Sequence, residues 1–97
     1  MKTLDEIRSV IRSHQDELYN RYKARVVGIF GSYVRGDQQP DSDLDVLAVF
    51  DSDASLFDLG GAQVMLSELL GLKVDLIPQE DVRPELKEKI ESEAVAV

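Results

Sequence analysis

The runs Val26 to Phe30 and Val46 to Phe50 constrain the fold of this chain more than any other feature. Each is continuous and apolar, too short for a helix and too apolar for a strand with one wet face, so both read as strands buried in a sheet. The second is opened by Asp43 and Asp45, which places a strand from Asp43 to Phe50 after a polar loop containing Gly36 and Pro40. A third strand, Lys73 to Ile77, is interrupted by Asp75 and closed by Pro78.

The helices follow from caps and periodicity. Thr3 and Glu6 form a capping box, and Leu4, Ile7, Val10, Ile11, Leu18 and Tyr22 trace one helical stripe that ends before Arg25. His14 lies on that stripe and is assigned to packing. Asp51-Ser52-Asp53 reads as a turn, and Ser55 with Asp58 three residues later predicts a helix from Leu56 to Leu70 that stops at Gly71. Gly60-Gly61 costs about 1 kcal/mol per glycine relative to alanine, which weakens the first half of this helix. Pro84 opens a last helix with Leu86, Ile90 and Ala94 expected to face inward, and the final Val-Ala-Val is expected as a short edge strand. The predicted class is α/β (α+β), with helices against one small mixed sheet.

A chain of 97 residues suits a single domain, residues 1–97. Nineteen acidic against 11 basic residues give a net charge of −8, which disfavours nucleic acid and anionic membrane and favours divalent cations or a basic partner. No apolar stretch approaches the roughly eighteen residues of a membrane span. Cysteine is absent, which excludes disulfides and thiolate metal sites, and the start lacks a leader pattern, so a cytoplasmic protein is expected.

The aspartates carry the chemistry. Side chains alternate along a strand, so Asp43 and Asp45 are expected on one face with Cα atoms roughly 6.5–7 Å apart, able to converge on one cation or a cation pair. Asp75 breaks an otherwise apolar strand and joins them if the strand ends meet at a rim. Asp37 and Asp41, near Gly36 and Pro40, are assigned to turns. A calcium loop starting at Asp41 is rejected, because its sixth position is Val46 and its twelfth Ser52. After the first strand, Gly31 lets backbone approach a ligand and Ser32 offers an N–H and a hydroxyl. A short helix near Tyr33 would turn further N–H groups toward a phosphate, with Arg35 one turn on. The stretch is not a Walker A loop, since the lysine and spacing are missing.

Gly31-Ser32, ten residues, then Asp43-Leu44-Asp45 resembles the signature of the DNA polymerase beta-like nucleotidyltransferase superfamily. "GSYVRGDQQPDSDLDVLAVF", "LLGLKVDLIP" and "RPELKEKIESEAV" are similar to the motif, third-carboxylate strand and closing helix of its minimal branch. The resemblance implies a Mg²⁺-dependent nucleotidyltransferase in which Asp43 and Asp45 bind two Mg²⁺ ions. It implies that Asp75 holds the catalytic ion and helps to orient or deprotonate the incoming hydroxyl. Gly31 and Ser32 would contact the triphosphate, assisted by Arg35. It also implies ATP as the nucleotide and AMP transfer to a helical HEPN partner, as in toxin–antitoxin pairs. The larger superfamily members carry an additional acceptor-binding domain for which this chain has no room.

Two other readings stay open on the sequence. One is a module that binds metal and nucleotide but neutralises its partner by contact, through apolar residues exposed on the first or last helix. The other is nucleotidylation of an aminoglycoside or other small molecule, which would require a second domain or a dimer cleft. Tyr19, Tyr22 and Tyr33 could stack on a base, although packing is the expected use of at least two.

Overall fold

Thr3 caps the first helix as its sequence requires, in a computed structural model that describes residues 2–97. Its hydroxyl accepts the Glu6 N–H at 3.1 Å, and the Glu6 carboxylate accepts the Thr3 N–H at 3.3 Å. The stripe expected as one helix is two, α1 (Leu4–Ser13) and α2 (Gln15–Tyr22), broken at His14. His14 leaves helical geometry at ψ 10°, and its ring Nδ1 lies 2.8 Å from the Val10 carbonyl, a structural role as expected. The break lets the Gln15 amide reach β1 (Ala24–Phe30). Its Nε2 donates to the Val26 carbonyl at 2.8 Å and its Oε1 accepts the Val26 N–H at 3.1 Å.

Strand β1 pairs antiparallel with β2 (Leu44–Phe50), which pairs parallel with β3 (Val74–Pro78). The two-residue β4 (Val95–Ala96) adds to the other side of β1, giving the order β3-β2-β1-β4. This is the expected mixed sheet, and the Val-Ala-Val edge strand is present. A register shift between Val26 and Gly28 makes Val27 an extra residue, so Val26 and Ile29 face the same side although three apart.

Helix α4 (Leu56–Leu70) connects the parallel strands β2 and β3. The Asp58 carboxylate accepts the Ser55 N–H at 2.8 Å, and Gly71 ends the helix in the left-handed region. The helix runs unbroken through Gly60-Gly61 because its next residues are paid for by packing: Ala62, Met65, Leu66 and Leu70 are buried against the sheet. Ile7, Ile11, Leu18, Ile29, Leu44 and Val46 complete this core, and fully burying such a side chain contributes about 1.5–3 kcal/mol. Helices α1, α2 and α4 thus cover one face of the sheet.

The opposite face is covered only in part, by α5 (Pro84–Glu93), and here the sequence reading needs correction. No residue of α5 is buried; Leu86 is exposed, Ile90 is half-buried, and Ala94 lies beyond the helix. The spacing that marks an inward stripe is present, and the sheet face beneath carries the buried Leu47 as well as the aspartates, but Leu47 and Ile90 line a small open cleft, so α5 rests on the sheet without closing on it. The expected exposed contact residues are found in part: Leu86 of the last helix is exposed, but α1 supplies none of the large exposed apolar side chains. Ile7 and Ile11 of the first helix are buried, whereas Leu56 and Phe57, at the start of α4, are 84% and 91% exposed. Among the described residues, no helix is long and apolar enough to cross a membrane.

Candidate active site

The parallel pairing of β2 with β3 sets Leu44 beside Val74, Asp45 beside Asp75 and Val46 beside Leu76. Partners on adjacent strands share a face, about 4.8 Å apart along the hydrogen-bonding direction. Leu44, Val46, Val74 and Leu76 are buried in the core, so Asp45 and Asp75 project to the α5 side. Side chains of α4 hold this register: Ser67 Oγ accepts the Val74 N–H at 3.3 Å and Gln63 Oε1 accepts the Leu76 N–H at 3.0 Å. Both neighbours of Asp75 are therefore pinned by backbone.

On its other side β2 pairs Asp45 with Phe30, the last residue of β1, and Gly31 follows directly. Gly31 has φ 85° and ψ −155°, a region that essentially only glycine occupies. A β-carbon there would collide with Oδ2 of Asp45 and lie 3.1 Å from its Cγ. The glycine is needed for both reasons, backbone conformation and closeness to the carboxylate. Ser32 begins the single-turn helix α3 (Ser32–Arg35), Tyr33 is buried beneath it, and Arg35 closes it at the surface. The four residues form one turn at the mouth of the site.

Asp43 lies one residue before β2 rather than on it, because the ladder with β3 begins at Leu44 and Val74. Its carboxylate stands 3.8 Å from Lys73 Nζ, and both side chains are solvent-accessible. Asp45 is half-buried, and burial, then the charges of Asp75 and Asp43, hold its carboxyl above the usual carboxylate range. Asp75 is exposed at the rim. Among the described residues, no three acidic or histidine side chains stand together closely enough to enclose an ion. The strand pairing brings Asp45 beside Asp75, and Asp43 precedes Asp45 by two residues, so the three are neighbours on the backbone. Their hard oxygen donors suit Mg²⁺, and the penalty on Asp45 is what a cation relieves. The residues fit such an ion.

The sequence reading missed Glu93. From the last turn of α5, its Oε1 accepts the Gly31 N–H at 2.8 Å and a bond from Arg35 Nη1 at 2.9 Å. Arg35 Nε also donates to Asp37 at 3.3 Å, so Asp37 is a turn residue with a partner. The available signal was spacing: Glu93 follows Ile90 by three and shares its helix face. Phe30, Gly31, Arg35, Asp45, Ile90 and Glu93 line an open cleft of about 210 Å³. A larger cleft of about 400 Å³ lies at the Phe50 end of β2 and contains none of the three aspartates. The candidate site lies at the smaller cleft, where Asp45, the half-buried member of the three aspartates, meets the constrained glycine. Of the tyrosines, Tyr33 is buried and Tyr22 packs against the core, while the Tyr19 hydroxyl donates to Asp51 at 2.6 Å, remote from this cleft.

Comparison with known proteins bears on the family and the fold. Residues 11–97 match the family model described as a nucleotidyltransferase domain. The protein adenylyltransferase MntA of Thermococcus cleftensis is 39% identical over 97 residues, spanning 100% of this chain and 98% of that protein. A solved structure described as a candidate minimal nucleotidyltransferase superposes with a TM-score of 0.81 at 32% identity, over 99% of this chain and 97% of its own. The structure of a tri-AMPylated Shewanella oneidensis HEPN toxin in complex with MNT antitoxin is similar at a TM-score of 0.63, over 93% of this chain and 70% of that one. Its identity is 15%, so it speaks to the fold alone.

Proposed function

The chain belongs to the nucleotidyltransferase domain family, and from that premise we propose that it transfers AMP from ATP to a hydroxyl of a HEPN-type partner protein. The observation that carries this reading is the in-register pair Asp45–Asp75 lying against the Gly31 turn. The name of the Thermococcus relative supports a protein acceptor, and a HEPN acceptor follows from the resemblance to the minimal nucleotidyltransferase branch. A net charge of −8 suits a basic partner.

In this reading Asp43 and Asp45 hold two Mg²⁺ ions, and Asp75 shares one. When bound, such ions supply electrostatic stabilisation of the charge that develops on attacking and leaving oxygens. The chain's own groups bind and orient. Gly31 N–H and the Arg35 guanidinium donate to phosphoryl oxygens, with Ser32 beside them. Asp75, exposed at the rim, orients the acceptor hydroxyl and takes its proton. The hydroxyl oxygen bonds to the α-phosphorus while the bond to the bridging oxygen breaks, and pyrophosphate leaves with that electron pair. The uncovered part of the sheet face is where an acceptor as large as a protein can approach.

The test is incubation of labelled ATP with the HEPN partner and either wild type or Asp43→Ala. Label on the partner that depends on Asp43 is expected; equal label from both proteins would sink the proposal. A contact-only module is the second reading, favoured by the exposed Leu56 and Phe57. Partner neutralisation that survives Asp43→Ala would select it.

A further inference from the structure

Gly31 N–H and the Arg35 guanidinium, the two donors read above as triphosphate ligands, are already engaged by the Glu93 carboxylate at 2.8 and 2.9 Å. We infer that Glu93 is a displaceable stand-in for a phosphoryl oxygen, which nucleotide binding expels from the Gly31–Arg35 cradle. The inference rests on the proposed placement of the triphosphate and adds to it how the site is held before nucleotide arrives.

Three observations carry it. A backbone N–H is a single donor, so a Gly31 N–H bonded to Glu93 is not available to phosphate until the carboxylate leaves. Arg35 uses two of its five N–H donors here, Nε to Asp37 and one on Nη1 to Glu93, so the Glu93 carboxylate occupies part of the guanidinium edge that a phosphoryl oxygen would share with Gly31. The carboxylate is also a like charge. Its side chain is only 17% exposed, and it lies close enough to Asp45 to help raise that residue's pKa, so a triphosphate sharing the cleft would meet it poorly screened.

The segment carrying Glu93 is built to give way. Helix α5 has no buried residue, so little apolar area resists its movement. The next residues are fastened separately: β4 pairs with Gly28 and Ile29, Arg8 Nε donates to the Ala96 carbonyl at 3.0 Å, and Arg12 Nε donates to the Val97 carbonyl at 2.7 Å. Ala94, extended at ψ 140°, separates the two. Helix α5 can swing about Ala94 while β4 stays in the sheet. Until then Glu93 keeps the Gly31 turn and Arg35 in the arrangement a phosphate needs, and it satisfies donors that would otherwise be unpaired.

The test is the affinity of wild type, Glu93→Gln and Arg35→Ala for Mg²⁺–AMP-PNP by calorimetry, with hydrogen exchange of α5 in the wild type. Glu93→Gln keeps the size and removes the charge. It is expected to bind three- to tenfold tighter than wild type, a change that general structural damage would not produce. The α5 amides of wild type are expected to exchange at least tenfold faster once the nucleotide is bound. Equal or weaker binding by Glu93→Gln, with Arg35→Ala also weakened, would overturn the stand-in role and leave the phosphate placement intact. Arg35→Ala and Glu93→Gln both binding like wild type would overturn both. Should Glu93→Gln not fold, exchange on the wild type decides: unchanged or slower α5 exchange with nucleotide refutes the displacement.

Discussion

Replacing Gly31 by alanine tests the geometry of the site against a control five residues away, Gly36. Gly31 and Gly36 have nearly the same positive φ, 85° and 83°, but different surroundings. An alanine at Gly36, in the left-handed helical region, meets nothing within 4 Å and costs only its backbone conformation, about 1–2 kcal/mol. An alanine at Gly31 carries a backbone cost of about 1–3 kcal/mol, in a region more restricted than the left-handed helix. It also forces Asp45 aside, and overpacking of that kind adds about 1–3 kcal/mol. Gly31→Ala should therefore lie at least ~1 kcal/mol below Gly36→Ala, or about 4–8 °C in Tm for a domain of this size. Urea unfolding of the two metal-free variants measures the difference through the midpoint at constant slope. The stabilisation by Mg²⁺ and ATP should vanish in Gly31→Ala and persist in Gly36→Ala. Two variants of equal stability, both still responding to nucleotide, would refute the close approach of Gly31 to Asp45.

Neighbouring glycines in α4 should respond in opposite directions. Gly60 is exposed with nothing within 4 Å of a β-carbon, so Gly60→Ala should gain about 1 kcal/mol of helix propensity; a β-carbon at Gly61 meets the Tyr22 ring, with two of its atoms at 2.7 and 2.9 Å, so Gly61→Ala should lose that gain and more in thermal unfolding. Asp45 has its folded-state pKa raised above the ordinary value of about 3.9, so ionising it costs stability as pH rises through that range. Metal-free Asp45→Asn should accordingly be more stable than wild type at pH 7 and lose the advantage near pH 4; an advantage that grows on acidification would contradict the assigned cause. In wild type, Mg²⁺ with ATP at about 100 times Kd should add about 2.7 kcal/mol, and Asp43→Asn should abolish the shift in a thermal scan.

Where the sequence was read correctly, a short-range signal and the tertiary structure agreed. The capping box at Thr3, the stop at Gly71 and the β-branched runs each state their element locally, and packing does not override them. The split at His14 had no such signal, since the apolar stripe continues across it and the Gln15–Val26 hydrogen bonds that accompany it are long-range. Helix α5 misled for the opposite reason. Its periodicity is real, but periodicity names the face that turns inward and is silent on what that face meets. For Glu93 the spacing from Ile90 named the helix face but not the partners, because Gly31 and Arg35 are 62 and 58 positions away.

The arrangement also explains why aspartates can sit on strands at all. Alternation gives each strand two independent faces. Leu44, Val46, Val74 and Leu76 place one face in the core with α1, α2 and α4, and that burial, with the Ser67 and Gln63 hydrogen bonds from α4, sets the register of β2 against β3. A register chosen by the core then delivers Asp45 beside Asp75 on the other face, without any attraction between them. A one-residue slip of β3 would turn Asp75 into the core and Val74 out of it, so the apolar residues enforce the pairing of the charges. The repulsion between the aspartates is thus a local cost borne by a register that other residues fix, and it is available to be relieved when a cation binds.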